Sequence, residues 1–530
     1  MTKNSSHGTP DATGTATGPQ AHPQRWWILS ALCLALLLVL LDNTVLTVAI
    51  PSITESLHAD TSSIQWVMNG YTLVLAGLLM TTGSLSDRFG RKRALLLGLV
   101  LFTVGSGVAS FSESPTQLIV SRIGMGVGAA FLMPSTLAVL LQVFDEKERP
   151  KAIAIWTGVA SGGIALGPVI GGFMLDHFWW GSVLLINVPI GIAALVVMVA
   201  LVPESRDPQV RKPDVPGVVL SAVMGVGLVY AVISAPEHGW GSADVIVPLA
   251  AGLVALIGFI IWERRAKDPM LDLSLFRNPL FSGAVGSAAL TSVAMAGSLF
   301  LFTQYLQFVL GYSPLQAGFG VIPMAIVLLA MTPFSPKLSA RIGAPATLAF
   351  GLIVLGLGLV TLSFVGADTG YVVTLFGLAL MGGGVGIALP ASSNTLMSAI
   401  PPERAGMASG LNSTMQEFGS AFGVAALGSL AAAQFTSKLP GSLPEDSGHS
   451  VGQALDAAAQ GANAPRVVDE VREAFVSGIS QSLRFGAAAA VAAGLLAWFV
   501  LRKGSTPAAA PAEPEEALDQ QLSQDNAGVS

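Results

Sequence analysis

Fourteen apolar runs, each close to the length that crosses a bilayer, alternate with short polar loops along most of the sequence. They cover 26–48, 64–82, 94–112, 115–137, 152–174, 182–202, 216–235, 245–263, 281–303, 315–334, 344–364, 371–393, 407–432 and 480–501. A helix needs ~20 apolar residues to span the hydrocarbon, and backbone polar groups there must be satisfied within the protein. The pattern therefore predicts an all-α polytopic membrane protein. Only 11% of the residues are charged, against about 25% in soluble domains. A chain this apolar has no way to hide its surface from water by folding on itself.

Charge is sorted between the loops. With the amino terminus inside, cytoplasmic segments hold 21 of the 26 Lys and Arg residues, and the six short outer loops hold none. Short basic loops stay in the cytoplasm. A miscounted helix would invert this bias downstream, so the expectation is a multi-pass protein of a cell membrane with both termini cytoplasmic. Ala- and Gly-rich usage, with Arg exceeding Lys, points to a bacterial cytoplasmic membrane. No cleavable signal peptide is expected, because the first apolar run is long enough to span.

The densest charge lies in Gly83-Ser84-Leu85-Ser86-Asp87-Arg88-Phe89-Gly90-Arg91-Lys92-Arg93, between runs two and three. Five of these eleven residues are charged and four are positive. A loop this short makes its two helices antiparallel neighbours. The stretch resembles the signature of the major facilitator superfamily between its second and third helices. That resemblance implies a cytoplasmic gate carried by Gly83, Asp87, Arg88, Gly90 and Arg91. A weak second copy, Leu338-Ser339-Ala340-Arg341-Ile342-Gly343, keeps Arg341 but has Ala340 in place of the acid. Repeated halves are expected of secondary transporters, with the substrate site between them.

Three ionisable residues fall inside predicted spans, where such groups are costly and read as functional. Asp42 lies in Leu41-Asp42-Asn43-Thr44-Val45, which resembles the first-helix motif of the fourteen-helix drug–proton antiporters, the QacA- and EmrB-like exporters. Arg122 lies in a stretch similar to the fourth-helix motif, with Met125 where that family usually has Gln. Helix rise puts Asp42 ~12 Å and Arg122 ~10 Å from the outer ends of their helices. The resemblance places both helices on the cavity, so Arg122 is expected to tune the proton affinity of Asp42. Glu417, ~15 Å into the thirteenth span, is a candidate for a second proton or a cationic substrate.

Gly163, Gly167, Pro168, Gly171 and Gly172 resemble the fifth-helix antiporter motif. Small residues four apart let helices approach closely, and a proline removes a backbone donor. Asn187-Val188-Pro189 also matches the family pattern. Trp66, Asn69, Tyr71, Phe131, Gln304, Gln307 and Phe418 are candidate substrate contacts, together offering apolar surface with a few polar anchors.

These readings imply a major facilitator fold with two six-helix halves and two inserted helices. The expected organisation is a disordered tail (1–25), a first half (26–202), a linker with inserted helices (203–280), a second half with a long outer loop at 433–479 (281–501), and a second disordered tail (502–530). The implied function is proton-coupled export of lipophilic, often cationic drugs, antibiotics or biocides by alternating access. The alternatives are a dedicated exporter of one metabolite or self-made antibiotic, or a receptor on the same scaffold. Partners are then lipophilic small molecules, protons and lipid, with no nucleic acid, and the chain is expected to act as a monomer. No cofactor is expected, the proton gradient supplying energy. The chain lacks a phosphate-binding G-x-x-x-x-G-K-[ST] loop, which disfavours an ATP-driven pump. Its single cysteine, Cys33, and its scattered histidines offer no metal site and no enzymatic cluster.

Overall fold

A computed structural model describes residues 22–145, 147–206, 214–267, 269–366, 371–400, 405–444, 448, 450–460 and 464–502. Among them the chain is helical: α1 (Arg25–Leu57), α2 (Thr61–Phe89), α3 (Arg91–Ser110), α4 (Pro115–Val143), α5 (Arg149–His177), α6 (Ser182–Leu185), α7 (Asn187–Leu201), α8 (Val215–His238), α9 (Ala243–Arg265), α10 (Pro279–Gln304), α11 (Pro314–Met331), α12 (Phe334–Ile342), α13 (Ala344–Leu362), α14 (Tyr371–Ser398), α15 (Ala405–Lys438), α16 (Val451–Ala459) and α17 (Ala464–Arg502). Thirteen spans are long and apolar enough to cross a bilayer among the described residues, α6 and α7 together making one of them. The 29-residue α5 completes the expected fourteen. The two tails fall largely outside the described residues, as do Arg211, Lys212 and Arg404.

The helix ends follow local chemistry. Asp60 caps α2 by accepting from the Ser63 N–H at 2.7 Å, and Ser313 and Gln316 form a reciprocal capping box on α11. Many helices outrun their apolar runs. α1 continues to Leu57, about four turns past Asp42, so Asp42 lies deeper from that end than the expected ~12 Å. α17 is one continuous helix of 39 residues, and its early turns bury Val471 and Phe475.

Two bundles result. The first holds α1 to α7; the second holds α10, α11, α13, α14, α15 and α17. They meet along α2 with α15 and along α5 with α11. The inserted pair α8 and α9 packs on itself, and α8 also lies on both α2 and α15. The helices alternate in direction, so one end of the molecule carries Arg91, Lys92 and Arg93; we call it the basic face.

The internal repeat is visible as one turn made twice. Gly90 links α2 to α3 at φ +118°, and Gly343 links α12 to α13 at φ +86°. In each the glycine N–H donates to a serine carbonyl four residues back, Ser86 and Ser339, at 3.0 Å. Positive φ is the reason both positions are glycine.

Candidate functional site

Asp42 and Arg122 meet inside the first bundle, α1 against α4. Arg122 is 0% and Asp42 1% exposed, and Nη1 of Arg122 donates to Oδ2 of Asp42. The guanidinium is held on two further sides. Its Nε donates to the Val67 carbonyl at 3.3 Å, and its Cζ sits 4.2 Å above the Tyr71 ring. Nη2 has no hydrogen-bond partner. A planar cation stacked on an aromatic face while donating in its own plane suits Arg and not Lys. Met125, at the departure from the family motif, is buried against α3, where a Cβ on Gly105 would meet its Cγ at 2.8 Å.

The second oxygen of Asp42 has a partner that sequence reasoning did not assign. Asn187 opens α7, and its Nδ2 donates to Asp42 Oδ1 at 3.2 Å and to Ser106 Oγ at 3.0 Å. In the sequence Asn187 is marked only by its place in the Asn187-Val188-Pro189 motif.

The glycine motif of α5 lies behind this site and faces two neighbours. A Cβ on Gly163 would lie 3.0 Å from Leu37 Cδ1, and one on Gly171 2.9 Å from Val45 Cγ1. A Cβ on Gly167 would fall on Thr44, two residues from Asp42. On the other side, a Cβ on Gly172 would lie 2.6 Å from the Leu315 Cα, and one on Gly318 2.8 Å from the Pro168 carbonyl carbon. The motif thus packs α5 onto α1 of its own bundle and α11 of the other.

Glu417 sits on α15, partly exposed, with no hydrogen bond or ion pair among the described residues. Gly410 faces Met80 and Gly428 faces Gln65, both on α2. Residues seven before and eleven after share a helix face, so Glu417 points to the same side. The remaining candidates fall in separate places. Trp66 packs on Tyr230 of α8 at 5.7 Å, and Phe418 lies against Gly225 of α8. Phe131 packs against Gly98 of α3. Asn69 is fully buried, and among the described residues neither its side-chain polar atoms nor the Tyr71 hydroxyl has a partner. Gln304 donates to its own helix at Phe300 and borders a small pocket with Thr54, Ile64, Phe308 and Val451.

At the basic face Asp87 accepts from Arg91 Nε at 2.7 Å, and Glu204 lies 3.5 Å from Arg93 while covering Gly90. Gly83 approaches Pro134 of α4. Arg88 lies over the ring of Phe89, and Arg341 is exposed without an ion pair among the described residues.

The two bundles are joined at the opposite face. Gln307 donates to the Val48 carbonyl at 2.9 Å, and Ser429 donates to Gln65 at 3.3 Å. Asp176 accepts from Ser313 at 3.1 Å and from the Leu315 N–H at 3.4 Å. Among the described residues, the hydrogen bonds between the bundles all lie in this half of the molecule.

Residues 32–424 match the Major Facilitator Superfamily. The chain belongs to that superfamily. It is 35% identical over 505 residues to the multidrug efflux pump LfrA of Mycolicibacterium smegmatis, covering 94% of this chain and 99% of the relative. It is 33% identical over 515 residues to the tetracenomycin C resistance and export protein of Streptomyces glaucescens, covering 94% and 95%. Among solved structures it resembles a bacterial homologue of the human lysosomal transporter Spinster, inward-facing and unoccupied. The TM-score there is 0.67 at 18% identity, over 92% of this chain and all of that one. That likeness carries the major facilitator fold, and the two bundles described above are its two halves.

Proposed function

We propose that this protein exports lipophilic, often cationic compounds across a bacterial cytoplasmic membrane in exchange for protons. The observation that carries the reading is the Asp42–Arg122 pair, sealed inside the first bundle and tied into the α1–α4–α7 packing. A carboxylate that takes up a proton gives up the ionic part of its contact with Arg122. That change is local, yet Arg122 is also held by Val67 and Tyr71 of α2, a helix of the bundle boundary. Glu417, unpaired and facing α2, supplies a charge for a cationic substrate or a second proton. The two relatives, a multidrug efflux pump and a tetracenomycin C export protein, support export of this substrate class. With the basic face in the cytoplasm, the bonds at the opposite face close the outer side.

The test is ethidium efflux in energised everted vesicles at matched expression. Gradient-dependent transport by the wild type that is lost in Asp42→Asn is expected. Transport untouched by an uncoupler would overturn proton coupling. The tetracenomycin exporter favours a second, narrower reading, export of one self-made antibiotic; that version predicts no ethidium transport while a polyketide substrate is still moved.

A further inference from the structure

We propose that Asn187 is a positioning residue that fixes the rotation of the Asp42 carboxyl and directs the exchanged proton to one of its two oxygens. The inference rests on the reading of Asp42 as the proton-exchanging group.

The direction of the hydrogen bonds can be derived. A serine hydroxyl has one hydrogen to give. That of Ser106 goes to the Leu184 carbonyl, at 2.8 Å. Towards Asn187, 3.0 Å away, Ser106 therefore acts as acceptor, and the Asn187 group facing it must be the NH2 end. The same nitrogen is the one 3.2 Å from Asp42 Oδ1, so its two hydrogens are both committed. The chain of donation runs from Asn187 outward to Asp42 on one side, and through Ser106 to Leu184 on the other. Asn187 and Ser106 are 1% and 0% exposed, which leaves little water to replace a lost bond.

Leu184 lies in the single turn of α6, which ends at Leu185, and Ile186 separates that turn from Asn187, the first residue of α7. The interruption of this span thus frees a carbonyl region and an amide side chain that together grip Ser106 of α3 and Asp42 of α1. Oδ1 of Asp42 is engaged by Asn187 and Oδ2 by Arg122. When a proton arrives, the two contacts respond differently. A neutral carboxylic acid still accepts through its carbonyl oxygen, so the Asn187 bond survives. The ionic contact to Arg122 does not. With the Asn187 N–H kept on Oδ1, a proton given up by hydronium, which leaves as water, is carried on Oδ2; its O–H replaces the Arg122 contact there, and the guanidinium is released while the carboxyl stays in register for the return step. Without Asn187 the neutral carboxyl is free to rotate about its own χ2 and loses that register.

The experiment uses the full-length protein in vesicles, with ethidium as substrate and Asp42→Asn in parallel. Asn187→Asp keeps the shape and replaces the two amide donors by a carboxyl with at most one proton to give, whereas Asn187→Gln keeps an NH2 group. The expected result is a fall of ~10-fold or more in maximal rate for Asn187→Asp, with KM for ethidium changed less than ~2-fold and partial recovery in Asn187→Gln. Ser106→Ala, which removes the acceptor that orients the amide, is expected to show a smaller fall of the same kind. It serves as the second variant should Asn187→Asp fail to fold. Wild-type rates in Asn187→Asp, equal losses in the Asp and Gln variants, or a change confined to KM would overturn the assignment. If Asp42→Asn keeps gradient-driven efflux, the reading of Asp42 itself fails. If Asp42→Asn is dead and Asn187→Asp is not, only the role of Asn187 fails.

Discussion

The side-chain amide of Gln307, in the π-helical turn Tyr305–Val309 that follows α10, donates to the main-chain carbonyl of Val48 at 2.9 Å, joining the second bundle to α1 of the first. It is a bond across a boundary that must open if the two halves rock. A neutral hydrogen bond contributes about 1 kcal/mol net, roughly fivefold in an equilibrium. Gln307→Leu is therefore expected to shift the closed and open populations of the opposite face by about that factor. Distances between spin labels on the ends of α5 and α11 would report it. An unchanged distance distribution would mean that the bond is redundant.

The α5–α11 contact should be less forgiving. At Gly172 a Cβ meets the Leu315 Cα at 2.6 Å, and backbone has no rotamer to escape into. Overpacking of this kind costs about 1–3 kcal/mol. Gly172→Val is expected to favour separation at this face and to slow substrate turnover, in the label distances and in efflux. The same substitution at Gly158, where a Cβ would meet nothing within 4 Å, is expected to leave the label distances unchanged.

Arg122 and Asp42 can be separated as stability and function. Removing one member of a buried ion pair strands the other, at about 3–5 kcal/mol, whereas replacing both by apolar residues is often neutral. Arg122→Met is therefore expected to lower the thermal midpoint of the purified protein strongly. Asp42→Leu combined with Arg122→Met should regain most of that loss and remain inactive in gradient-driven efflux. A double variant as unstable as the single one would contradict this.

The two repeated glycine turns offer an internal control. Both have positive φ, and such strain costs a non-glycine residue about 1–3 kcal/mol. Gly90→Ala carries an added clash with the Glu204 carboxylate, whose nearest oxygen lies 2.5 Å from the new Cβ. Around Gly343 only Pro345 Cδ comes near, at 3.8 Å. Gly343→Ala should thus destabilise the fold less than Gly90→Ala, and only Gly90→Ala should disturb the Glu204–Arg93 contact. Thermal unfolding of the two variants in detergent decides between equal and unequal strain.

Glu417 stands without an ion-pair partner among the described residues. Glu417→Gln is expected to reduce efflux of cationic ethidium several-fold more than efflux of a neutral lipophilic dye. Equal loss for both would assign Glu417 to proton exchange instead.

Spans were legible because a bilayer imposes length and hydropathy together, so α3 and α13 fall within a few residues of their apolar runs. The polar turns that prolong α1 to Leu57 gave no such signal, whereas Val467, Val468, Val471 and Phe475 stand at helical spacing ahead of the last apolar run, and α17 runs through them without a break. Helices outside the hydrocarbon need not be apolar. Asp42 and Arg122 could be placed at comparable depth from helix rise alone, and the structure puts them in contact. Asn187 was not recognisable as their companion. It is uncharged, lies 145 residues from Asp42, and reaches it only because α6 and α7 break where they do. Side-chain direction was the other hidden quantity. Trp66 and Phe418 carry no mark in sequence that turns them to α8, because helix rotation is set by packing partners far along the chain.

The inserted helix α8 touches both bundles at once. Tyr230 stacks near Trp66 of α2, and Gly225 receives Phe418 of α15. When the bundles rock, α2 and α15 change their crossing, and a rigid helix resting on both can follow only one. One of these two contacts must therefore slide. Packed helices slide by small shear displacements rather than by bending, and a face carrying small residues such as Ser221 and Gly225 offers few ridges to catch. In the proposed cycle the inserted pair would be a bearing between two moving bodies, and its friction would bear on the speed of the stroke although Asp42, Arg122 and Glu417 all lie on other helices.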